Sequence, residues 1–91
     1  QAAWDKTMRD GAAELLDAVI GIVEAVEWAA GPLKEAFDQW ADEREIKRVK
    51  LQMPVRVAVT GRTVGPPLFE SLEALGRERA VDRIREARAR V

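Results

Sequence analysis

The chain contains no cysteine and no histidine. Without thiols it has no disulfide framework and no thiolate nucleophile, and without imidazoles as well, structural zinc and Ser-His-Asp or Cys-His catalysis are excluded within this chain. Apolar runs are short: none approaches the roughly 18 residues that cross a bilayer. The opening segment, QAAWDKTMRDG, lacks the basic-then-apolar layout of a signal peptide. These absences point to the cytoplasm and to no membrane partner. Carboxylate pairs exist, Glu24 with Glu27 and Asp42 with Glu43, but no cleft is marked out that would split their pKa values, so they read as solvated surface and no catalytic residue is assigned. TGRTVGPP lacks the G-x-x-x-x-G-K-S/T arrangement that cradles phosphates, so a nucleotide loop is not expected either. No metal ligand set is expected.

What is present suits one small domain. Apolar residues make up 47% of the 91 positions and charged residues 34%, a soluble globular composition; at this length folding removes roughly 60% of the unfolded surface from water. The net charge of −1 conceals a polarity. Residues 1–45 carry four basic side chains (Lys6, Arg9, Lys34, Arg44) against eleven acidic ones, whereas residues 46–91 carry eleven basic against five acidic. The second half is therefore the candidate for a polyanionic partner, unless the two halves simply attract one another.

Hydrophobic spacing predicts helices. Residues 1–11 are weakly periodic, with Trp4 and Met8 a possible i, i+4 pair, and read as a poorly ordered edge or a helix remnant; the domain proper is 12–91. From about Ala12 to Ala30, Leu15, Leu16, Val19, Ile20, Val23, Val26 and Ala30 follow the 3-and-4 spacing of one helical face. Gly31-Pro32 reads as a stop and a new start, and a second helix over about 32–43 buries Leu33, Ala36, Phe37, Trp40 and Ala41. The basic run REIKRVK, 44–50, fits either a continued helix or an ordered linker. PPLFESLEALG reads as a helix with Pro at its start, Leu68, Phe69, Leu72 and Leu75 inward and Gly76 as its stop, and RERAVDRIREARARV as a last helix with Ala80, Val81, Ile84, Ala87 and Val91 inward.

Between them, MPVRVAVTG gives two readings. Val55, Val57 and Val59 alternate with Arg56, Ala58 and Thr60 as in a half-buried strand, yet no second strand is visible to pair with it, while Pro54 opens a helix well and Gly61 closes one. The following GRTVGPPL holds its backbone away from helix with Gly61, Gly65 and two prolines, flanked by Arg56 and Arg62. That makes a stiff, partly apolar ledge beside positive charge, of the kind on which unpaired bases pack while guanidinium planes stack or bridge phosphate. Its competing reading is a tight interhelix turn. Trp28 and Trp40 fall where core or hairpin-locking residues belong and are assigned there rather than to base stacking.

Residues 51–84, LQMPVRVAVTGRTVGPPLFESLEALGRERAVDRI, resemble the C-terminal part of bacterial glutamyl-tRNA synthetases, in which Q-x-P-[LV]-R-V-A-[LV]-T-G, a short loop, P-P-L-F-E and L-G-R-E-R run in this order. Residues 12–43 resemble the preceding helices more loosely, and 1–11 and 44–50 are poorly covered. The resemblance implies an all-α fold, a bundle of about five helices that binds the anticodon loop of tRNA-Glu, or also tRNA-Gln, and it tips 54–60 toward helix. It further implies RNA contacts at Arg56, Gly65, Pro66 and Leu68, with Arg62 beside them. The chain departs from the pattern at Gly65, where relatives carry a hydroxyl, and at 44–50, where they have a Gly-containing turn. Neither of the family's catalytic signatures is present, so ATP and glutamate are expected only in an upstream catalytic domain, with no cofactor in this chain and a monomeric state. Two rival functions remain at this point: a stand-alone RNA-binding relative and a helical protein-interaction module.

Overall fold

Helix α1 spans Ala12–Ala25 and buries Ala12, Leu16, Val19 and Val23 on the expected stripe. The computed structural model describes residues 4, 8, 11–62 and 65–91; most of the 1–11 segment, read above as an edge or helix remnant, lies outside them. The helix is shorter than its hydrophobic pattern predicts. Val26 turns extended (φ −83°, ψ 152°) as its N–H closes the last bond to the Ile22 carbonyl, and the chain then lets the Trp28 indole Nε1 donate to the Leu72 carbonyl at 3.0 Å. A half-buried indole that satisfies its N–H against a distant helix replaces another turn of helix.

Helix α2, Ala30–Glu43, starts earlier than predicted, so Gly31 and Pro32 lie inside its first turn rather than ahead of it. Pro32 costs nothing there, because the first N–H groups of a helix have no partner within it. One of those groups, on Ala30, instead donates to Glu73 Oε2 at 3.2 Å. The helix ends in a Schellman motif: the Ile46 N–H bonds the Ala41 carbonyl at 2.9 Å and the Glu45 N–H the Asp42 carbonyl at 3.1 Å. Glu45 occupies the left-handed position (φ 55°) that glycine normally fills in this motif.

Helix α3, Arg48–Thr60, resolves both open readings. The basic run divides into a turn and the first turn of this helix, and 54–60 is helical. Pro54 does not open the helix but lies inside it, sacrificing one backbone bond. The helix continues through it because Leu51, Val55 and Val59 join the core. The strand-like alternation has a clear cause. α3 packs against α1, α2 and α5, so an unusually wide arc is covered and Val55, Val57 and Val59 are all buried. Gly61, at φ 75°, ends the helix as expected.

Helices α4, Leu68–Leu75, and α5, Arg77–Arg90, meet at a corner made by Gly76 at φ 94°. Leu68, Phe69 and Leu72 point inward from α4, and Ala80, Ile84 and Ala87 from α5; Val91, expected inside, is 40% exposed because it follows the end of the helix. At the centre Phe37 meets Phe69 edge-on, with ring centroids 5.1 Å apart. The described residues thus form five helices and no strand.

Ion pairs tie these elements together. α1 and α5 lie side by side, and Arg85 reaches Glu24 while Arg88 Nε donates to Asp17 Oδ1 at 2.7 Å. That hydrogen bond raises the Arg88 pKa above its ordinary value. Across the α2–α3 joint, Arg48 donates to both Asp42 oxygens, at 3.1 and 2.7 Å, which holds the Asp42 carboxyl below its usual range.

Candidate nucleic-acid interface

Because α3 is covered on three sides, its last two turns keep only narrow openings, and Arg56 and Thr60 stand on one of them. Arg56 is half-buried. Its Nη1 donates to the Pro66 carbonyl at 2.8 Å, spanning the loop that joins α3 to α4. A guanidinium has five N–H donors, so the bond leaves most of them for a ligand. Gly65 and Pro66 are exposed beside it. A Cβ at Gly65 would meet only Arg56 Nη1, at 4.0 Å, an ordinary contact. Arg62 is exposed, and no side-chain partner is recorded for it among the described residues. Four of the five predicted site residues are therefore grouped at one end of the molecule with open faces.

Leu68 is the correction. Only 3% of it is exposed, because as the first residue of α4 it is drawn into the core, and its side chain cannot serve as a packing face for a base. The expected apolar ledge reduces to Pro66, Pro67 and the loop main chain. Residues 63 and 64, at the middle of the loop, lie outside the described residues.

The residue that the sequence reading missed is Thr60. Its hydroxyl donates to the Arg56 carbonyl at 2.7 Å and accepts from the Arg62 N–H at 3.2 Å. At the far end of the loop, the Ser71 N–H and hydroxyl both donate to the Pro67 carbonyl. The loop is pinned at its start, at Pro66 and at its end. A Thr directly ahead of a helix-ending Gly was the available signal, since Ser and Thr hydroxyls commonly satisfy such termini.

The remaining positive charge is less free than the sequence suggests. Arg85 and Arg88 pair with α1, Arg77 donates to the Val26 carbonyl, and Arg83 Nη1 donates to the Val59 carbonyl at 2.8 Å. Trp28 and Trp40 are structural, as expected. Arg77 lies 5.7 Å from the Trp28 ring centre and Arg44 4.2 Å from that of Trp40. Among the described residues no group of acidic side chains could hold a metal, and no helix is long and apolar enough to cross a membrane.

The described residues form an all-helical bundle that presents a pinned, arginine-flanked loop. The chain belongs to the anticodon binding domain family, which it matches over residues 1–88. It is similar to the glutamate–tRNA ligase of Salinispora tropica, with 52% identity over the whole chain and 20% of that protein's length. The ligase of Frankia casuarinae is 52% identical over 99% of the chain and 19% of its own length. The chain thus spans about a fifth of the length of the curated relatives it matches. A crystal structure of a glutamate tRNA ligase from Elizabethkingia meningosepticum in complex with its amino acid superposes with a TM-score of 0.91. It covers 98% of this chain and 18% of that one, at 24% identity, and so shows a shared fold.

Proposed function

We propose that this chain is the part of a bacterial glutamate–tRNA ligase that grips the anticodon loop of tRNA-Glu, or of both tRNA-Glu and tRNA-Gln, as a cytoplasmic monomer. The observation that carries this reading is the Arg56–Pro66 bond: a half-exposed guanidinium fixed against an open Gly-Pro loop offers directed donors beside a surface on which bases can lie. Its contribution is binding rather than bond making. ATP and glutamate would be handled by other parts of the ligase, and no cofactor is assigned to these residues. Stacking contributes about 1–3 kcal/mol per base, and the arginines add a salt-dependent phosphate attraction.

Arg56→Ala should weaken tRNA-Glu binding tenfold or more, from the loss of roughly 1.5–3 kcal/mol for a charged hydrogen bond. Filter binding or fluorescence anisotropy with the purified chain measures this, with circular dichroism to verify folding. Unchanged affinity in a folded variant removes Arg56 from the site. A protein-interaction module would instead show no steep fall in tRNA affinity with log salt.

A further inference from the structure

A second concavity lies between the last turn of α3 and the outer half of α5. It encloses about 230 Å³, with Ala58 and Ala87 as a small-residue floor and Trp4, Arg83, Glu86 and Arg90 around it. That is below the size of typical drug-sized sites and suits a single ring system. Glu86 stands three residues after Arg83 and four before Arg90, the spacing at which helical ion pairs normally form. Neither pair does. Arg83 is held by the Val59 carbonyl, and Arg90 lies 4.0 Å from the centre of the Trp4 ring. Glu86 is left exposed, with no partner recorded among the described residues.

The geometry points to a nucleobase pocket with a preference for guanine, a second base-reading site that rests on the RNA-binding reading proposed above. The Arg90–Trp4 stack supplies a flat wall for a π-face. An unpaired carboxylate accepts two hydrogen bonds side by side, and the guanine N1–H and N2–H form such a pair of adjacent donors. The neighbouring guanine O6 is an acceptor for the free N–H groups of Arg83. Adenine and cytosine present one amino donor beside a ring lone pair, and uracil an N–H between two carbonyls. Each would set an acceptor against the carboxylate.

The test is titration of the intact chain with GMP, AMP, CMP, UMP and inorganic phosphate, followed by the three Trp indole N–H signals and the Ala58 and Ala87 amides in NMR. GMP should move the Trp4 signal and both amides while leaving Trp28 and Trp40 in place, and should bind roughly tenfold or more tighter than the other nucleotides. Glu86→Gln should abolish the preference, and Trp4→Ala should remove binding; Glu86 is exposed, and because Trp4 is half-buried against the core, circular dichroism verifies that the second variant folds. Equal shifts with every nucleotide and with phosphate, or none with GMP, overturn the proposal. Arg56→Ala should leave the GMP response intact. Loss of the GMP response with tRNA binding retained therefore refutes this pocket alone, whereas loss of tRNA binding in every form refutes the reading beneath it.

Discussion

At the scale of single residues, the candidate site depends on hydroxyl and guanidinium groups that hold a loop in place. Thr60 connects the carbonyl of Arg56 to the N–H of Arg62, so one exposed side chain sets the register between two arginines. Thr60→Val keeps the shape and removes both bonds. It should lower tRNA affinity about three- to tenfold, on a loss of roughly 0.5–1.5 kcal/mol, while shifting stability by no more than about 0.5 kcal/mol because the position is exposed. Thr60→Ser should restore binding. Anisotropy titrations beside thermal melts check this, and a variant that melts early but binds normally would reassign Thr60 to folding alone. Arg56 was legible in the sequence as an arginine among valines. Leu68 was read both as an inward residue of its helix and as a base contact, and its burial bears out the first while withdrawing its side chain from the second.

Among the elements, the joint between α2 and α3 carries a strained residue. Glu45 adopts a left-handed conformation that costs a residue with a Cβ about 1–2 kcal/mol, and the Schellman bonds around it hold it there. Glu45→Gly should therefore raise unfolding free energy by roughly 1 kcal/mol, measured by urea denaturation with an unchanged slope. No gain would mean that the extra freedom of glycine in the unfolded chain offsets the relief. Element boundaries were the least legible part of the chain. α1 stops at Ala25 although its apolar pattern runs on to Ala30, because Trp28 has a partner on α4 that lies 44 residues away. Pro54 sits inside α3 although proline marks helix starts, because three packing helices outweigh one missing bond.

Across the whole molecule, a part of the opposite charge in the two halves is paired, through Arg48, Arg85 and Arg88. The α1–α5 seam pairs Glu24 with Arg85 and Asp17 with Arg88. Neutralising the acids in an Asp17→Asn, Glu24→Gln variant should release both arginines and strengthen non-specific binding to a polyanion such as poly(U). The slope of log affinity against log salt should become steeper by roughly 0.7 for each arginine that reaches a phosphate. An unchanged slope would show that the freed side chains stay on α1. Selective binding at the loop end would then rest on Arg56 and Arg62 rather than on bulk charge.

The amino-acid sequence alone determined the helical class, the stripes that form the core and the arginine-flanked Gly-Pro loop, because spacing and turn residues act over a few positions. Only the tertiary structure decided that 54–60 is helix, that Pro54 lies inside it and that Glu86 is left between two diverted arginines. Each of those outcomes depends on groups brought together from distant parts of the chain. The valines of α3 make the reason plain: alternation in sequence reports burial on two sides, and whether a sheet or three neighbouring helices supply that burial is settled only when the elements pack.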